Sequence, residues 1–99
     1  MNKRTKYLSI SPAVKLRVAD RDGGMCVLCG RPGEPVCHVI SRAQGGLGIE
    51  ENVWTGCWDC HMAYDQGINR YAIRRRLETY LRSKYPNWDE VPLTYMKGE

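Results

Sequence analysis

The sequence predicts a small α+β domain stapled by a four-cysteine metal site. Three observations carry that expectation. The chain has 99 residues, the size of a single domain. Four of its five cysteines fall in two C-x-x-C pairs, Cys26/Cys29 and Cys57/Cys60. The stretches VCHVI and VWTG are rich in β-branched residues and read as short strands, whereas Ile73, Leu77, Tyr80, Leu81 and Tyr85 recur at helical spacing.

The elements follow in chain order. Residues 1 to 10 read as a loosely held basic arm containing Lys3, Arg4 and Lys6. Residues 11 to 23 read as a short helix: Ser11 suits an N-cap, Pro12 the first helical position, and Asp22-Gly23-Gly24 a stop. Residues 24 to 66 form the stapled core. Within it, CVLCG is a knuckle turn, with Gly30 free to take a left-handed backbone. RPGEP is a loop, VCHVI a strand, SRAQGGLGIEEN a glycine-rich loop and VWTG a second strand. A helix is expected from about Cys60 to Gln66, where Gly67 breaks it. Residues 67 to 85 read as a basic helix running from Ile68 to about Lys84, and residues 86 to 99 as an irregular tail.

Composition narrows the class further. A core this small is marginal, and small domains often add a metal or disulfides. There is no Phe; six Tyr and three Trp supply much of the apolar mass. The net charge is +4 and the isoelectric point about 8.9, which suits an anionic partner. The opening MNKRTKYLSISPAVKLR lacks the apolar centre of a signal peptide, and no run reaches membrane-spanning length. The odd number of cysteines argues against a secreted disulfide framework. A cytoplasmic, metal-binding protein is expected.

The two-residue gap in each knuckle turns both sulfurs toward one point, at zinc–sulfur distances of about 2.3 Å. Two knuckles close a tetrahedron and leave no place for water, so this zinc is expected to be structural. A redox role fits less well, because a thioredoxin-type C-x-x-C occurs once and opens a helix after a strand. The knuckles are separated by 27 residues, against about 15 to 20 in a plain ribbon. That interval holds His38, and His61 directly follows the last cysteine; these are the chain's two histidines.

The segment VCHVISRAQGGLGIEENVWTGCWDCHMAYD resembles the core of HNH endonucleases in their zinc-knuckle branch. The likeness covers about residues 24 to 66. His38, Asn52 and His61 stand at the three name-giving positions. The resemblance implies a ββα-metal fold, in which a strand, a glycine-rich loop and a C-x-x-C-H helix surround a catalytic divalent ion. It also implies a metal-dependent nuclease that nicks DNA or cuts both strands, two copies being needed for simple double-strand cleavage. Stand-alone members of this length are similar to those of phages and mobile elements.

The chemistry can be argued from the residues as well. Phosphodiester hydrolysis needs an activated water, a cation on the phosphate oxygens and a stabilised leaving oxygen. His38 suits a general base. His61 and Asp65, at i and i+4, point to one face of a helix and suit Mg²⁺ or Mn²⁺, with Ni²⁺ or Zn²⁺ as further candidates. Asn52, by the resemblance, is structural and keeps the His38 ring oriented through the loop. Cys37 departs from the family, which usually has His or Asp there as a ligand of the catalytic ion. It is open whether Cys37 ligates a softer ion, whether water takes that place, or whether the site is degenerate. Arg42, at the mouth of the loop, suits a clamp on the scissile phosphate. Arg70, Arg74, Arg75 and Arg76 suit contacts to a DNA backbone, which give affinity without sequence preference; the alternative is a solvated helix face. A zinc-stapled nucleic-acid-binding module without cleavage is the second functional expectation.

Overall fold

A computed structural model describes residues 3–96; the outer ends of the expected arm and tail, residues 1–2 and 97–99, lie outside the described residues. The chain folds as α1 (Lys3–Leu8), α2 (Pro12–Asp22), β1 (Glu34–His38), β2 (Val53–Gly56), α3 (Trp58–Gln66) and α4 (Arg70–Lys84). Single 3₁₀ turns occur at Arg42–Gln44, Glu50–Asn52 and Trp88–Glu90. Among the described residues, no helix is long and apolar enough to cross a membrane.

The boundaries follow local chemistry. Ser11 caps α2 by accepting from the Val14 backbone N–H, and Pro12 occupies the first turn. Gly23 ends that helix at φ 66°, a left-handed cap that a side chain would strain. Cys57 caps α3, its Sγ accepting from the Cys60 N–H. This is why α3 begins at Trp58 rather than at Cys60, as the sequence suggested. Gly67 closes α3, and α4 begins at Arg70, two residues after Ile68.

β1 and β2 pair antiparallel, with Cys37 opposite Trp54 and His38 opposite Val53. β1 starts two residues earlier than the apolar run VCHVI suggested, and its register shifts by one residue between Glu34 and Cys37. That bulge sets the phase of the strand end. Residues directly opposite share a face of the ladder, and neighbours along a strand take opposite faces. Val53 therefore packs with Val14 and Val18 of α2. Trp54 and Cys37 pack on the other side with Leu77 and Leu81 of α4, Tyr64 of α3 and Trp88.

Two segments differ from the expected irregular ends. The arm is helical over Lys3–Leu8, and Leu8 is buried. The tail is docked by backbone bonds from Leu47 N–H to Leu93 O (2.8 Å) and from Tyr95 N–H to Gly45 O (2.8 Å), and by the buried Trp88, whose indole N–H donates to Glu51 O. Apolar anchors at Leu8 and Trp88 convert both ends from solvated chain into cover for the loop between the strands.

A polar tie joins α2, β2 and α4. The side chains of Arg21 and Asp22 are 9% and 0% exposed and pair at 2.7 Å. Arg21 also donates to Glu50 O, Val53 O and Tyr85 Oη. Asp22 accepts from the Thr55 backbone N–H and from Tyr80 Oη. The sequence had marked Asp22 as part of a helix stop and nothing more.

Candidate functional site

The knuckle turns bring Cys26, Cys29, Cys57 and Cys60 together, one ligand atom from each, all within 4.8 Å of one another. Tetrahedral zinc at the usual bond length would place its sulfurs about 3.8 Å apart; Cys29 and Cys57 Sγ lie at 3.6 Å. Four thiols in a closed cluster are a donor set that could hold a metal ion such as zinc. Arg31, from the loop after the first knuckle, donates to Cys29 Sγ (3.4 Å), Cys57 Sγ (3.5 Å) and Asp59 (3.3 Å). Its guanidinium draws the Cys29 thiol down to about 6, which favours the thiolate a metal requires. Burial pushes Cys60 the other way.

A second site opens beside this cluster. A cavity of about 580 Å³ is lined by His38 from β1, by Arg42 from the following loop, by His61, Tyr64 and Asp65 from α3, and by Arg70 and Arg74 from α4. Ser9, Lys15, Ser41 and Gln44 complete its polar lining. His38 Nε2 lies 3.1 Å from Leu8 O. A carbonyl can only accept, so the neutral ring carries its proton on Nε2 and leaves the Nδ1 lone pair free. Burial holds His38 below its ordinary value of 6.5, against the pull of the Leu8 carbonyl and with help from the charges of Arg42 and His61.

Asn52 is fully buried behind this wall. Its amide donates to Ile40 O (3.1 Å) and Leu47 O (2.8 Å), and its Oδ1 accepts from Ile40 N–H (2.9 Å). One side chain thus ties the end of β1, two residues past His38, to the far side of the glycine-rich loop. Tyr64 holds the intervening residue, donating to Val39 O at 2.6 Å. Arg42 reaches Ser9 Oγ at 3.5 Å, and Arg70 is steadied by Tyr64 O at 3.0 Å.

No family model matches the chain, and no characterised protein matches it.

Cys37 requires correction. Of the three readings left open for it, ligation of the ion expected at His61 and Asp65 does not fit its place: it is 1% exposed, sits in the core with Trp54, and does not line the cavity. The alternation along β1 is the cause, because His38 takes one face and Cys37 the other. Burial pushes the Cys37 thiol up to about 12, which keeps it protonated and apolar in character. The arginine row also divides. Arg70 and Arg74 line the histidine cavity, whereas Arg75 and Arg76 line a separate cleft with Val27, Ala72, Thr79 and Tyr80. Arg76 is further engaged with Leu28 O at 2.9 Å.

Several participants escaped the sequence, among them Ser9 and Tyr64. Arg31 sits two residues after Cys29, a spacing that could have suggested a sulfur partner. Lys15, Ser41 and the Leu8 carbonyl carry no motif, since chain segments far apart in sequence bring them to the cavity.

Proposed function

We propose that the protein is a metal-dependent endonuclease of the HNH type, acting on DNA phosphodiester bonds through a zinc-stapled ββα-metal core. The observation that carries the reading is the shared cavity of His38, His61 and Asp65, bordered by Arg42, Arg70 and Arg74. An imidazole with a free lone pair, a one-face nitrogen and oxygen donor pair, and a set of phosphate-binding guanidiniums are what this hydrolysis needs at close quarters.

His61 and Asp65 would hold the divalent ion; with Cys37 turned into the core, the donor set is one imidazole and one carboxylate, which would suit Mg²⁺ or Mn²⁺. Bound there, the ion supplies charge neutralisation for the phosphate oxygens and for the departing 3′-oxygen. Arg42 grips a non-bridging phosphate oxygen. His38 Nδ1 takes a proton from water as the water oxygen bonds to phosphorus. The P–O3′ bond breaks, leaving a 5′-phosphate and a 3′-oxygen that is protonated from solvent. Asn52 and the Leu8 carbonyl keep the imidazole aimed throughout.

The test is conversion of supercoiled plasmid with Mg²⁺, Mn²⁺, Ni²⁺ or Zn²⁺. Wild type should nick it, and His38→Ala should slow nicking by roughly 10²- to 10⁴-fold. No conversion with any of these ions defeats the reading. One observation favours a second reading, a zinc-stapled nucleic-acid-binding module that does not cut: the burial of Cys37 leaves the ion two protein ligands. In that case DNA binds and stays intact.

A further inference from the structure

We infer that Trp58 is a base-stacking platform that takes an unstacked nucleobase of the DNA strand next to the phosphate bound at His61. This rests on the endonuclease reading and deepens it. Three observations carry it. Trp58 is 72% exposed, while the other two tryptophans, Trp54 and Trp88, are 0% and 5% exposed. Its indole stands edge-on to the His61 ring, centroids 6.5 Å apart at 89°. Finally, Trp58, His61 and Asp65 fall on one side of α3 by helical spacing.

The placement is rigid as well as exposed. Trp58 is the first residue of α3, directly after its cap Cys57 and inside the second knuckle, so a bound metal would fix both of its flanks. An indole can bury about 200 Å², and here most of it is left to water. Next to the indole, Asp59 is paired with Arg31 at 3.3 Å, which reduces its repulsion of a polyanion. The adjoining cavity carries Lys15, Arg42, Arg70 and Arg74 against the single acid Asp65.

The spacing is commensurate with a nucleic-acid strand. The Trp58 and His61 ring centroids lie 6.5 Å apart, a gap that the sugar of a single nucleotide bridges between its phosphate and its base. A phosphate held at His61 therefore puts a neighbouring base within reach of the indole. Stacking of this kind is tolerant of sequence, because every base offers a π-face. It favours strands whose bases are already free.

Intrinsic fluorescence reads the residue by comparison with Trp58→Phe, since the other two indoles are buried out of reach of a base. Protein with its bound zinc and no added divalent ion is titrated with a single-stranded oligonucleotide and with the matching duplex, using wild type, Trp58→Ala and Trp58→Phe; plasmid nicking is assayed in parallel. Stacking predicts strong quenching of wild-type emission that is absent in Trp58→Phe. Trp58→Ala should bind the single strand about tenfold or more weakly, lose less on the duplex, and be largely rescued by Phe. Trp58 is exposed, so its truncation opens no cavity in the core, and unchanged circular dichroism and melting check this. Wild type that nicks plasmid, with no quenching and Trp58→Ala affinity within twofold, overturns the inference and leaves the nuclease reading standing. Wild type that neither binds oligonucleotide nor nicks plasmid overturns both.

Discussion

A single amide holds the wall of the histidine cavity in place. Asn52 satisfies the N–H and C=O of Ile40 and the C=O of Leu47 from a fully buried position. Asn52→Ala would leave these backbone groups without partners in the interior, each costing about 1–3 kcal/mol. The expected outcome is a loss of stability on the order of 3 kcal/mol, measured by urea denaturation. Asp22 makes a second prediction at this scale. Burial raises its pKa, but hydrogen bonds from Arg21 and Tyr80 outweigh that and hold it below 3.8. The stability it contributes is therefore complete above pH 3.8 and is lost as the pH falls through the lower folded value. Asp22→Asn leaves Arg21 buried without its counter-ion, at a cost of about 3 kcal/mol or more at neutral pH. It should also flatten the acid limb of the stability–pH curve below about pH 4. A variant as acid-sensitive as wild type would refute this account.

At the scale of elements, the knuckles join two parts that share no hydrogen-bonded ladder: the 26–29 turn and the start of α3. Cys57 does two jobs there, capping α3 and contributing to the cluster. Binding energy of a structural zinc counts as folding energy, on the order of 10 kcal/mol, in a chain too small to spare it. Strong chelation at neutral pH, or Cys57→Ser, should abolish the cooperative thermal transition followed by circular dichroism. Retention of a sharp melt without metal would count against a structural role. The glycine-rich loop is held by contact as well as by hydrogen bonds. A Cβ at Gly46 would collide with the carbonyl of Ile40, so Gly46→Ala should displace the loop that carries Arg42. Plasmid nicking should fall more than stability does.

For the whole molecule, the question is which basic groups face a polyanion together. The long basic helix α4 puts Arg70 and Arg74 on the histidine cavity and Arg75 and Arg76 on another cleft. If a strand crosses the cavity, Arg70→Ala and Arg74→Ala should each weaken duplex binding and reduce the slope of log affinity against log salt by about one. Arg76→Ala should change the slope less, because that guanidinium lines the other cleft. Equal slopes for all three variants would place the DNA elsewhere.

Much of this protein was legible along the chain because the signals are local. Ser11-Pro12 and Gly23 bound α2 through their own backbone preferences. The C-x-x-C spacing turns its sulfurs inward whatever the rest of the fold does, and the i, i+4 pair His61 and Asp65 shares a helix face by helical geometry alone. What the sequence by itself determined is therefore the elements from α2 to α4, the four-sulfur cluster and the shared helix face of His61 and Asp65. Tertiary structure decided the rest. The register of β1 on β2 turned His38 to the cavity and Cys37 to the core. Packing of Leu8 and Trp88 made covers of two ends that read as loose chain. Pairing of Asp22 with Arg21, Thr55 and Tyr80 made a clamp from a residue that read as a helix stop. These outcomes depend on partners up to 58 residues away, and no pattern confined to a short window carries information about which side chains will meet across such a distance.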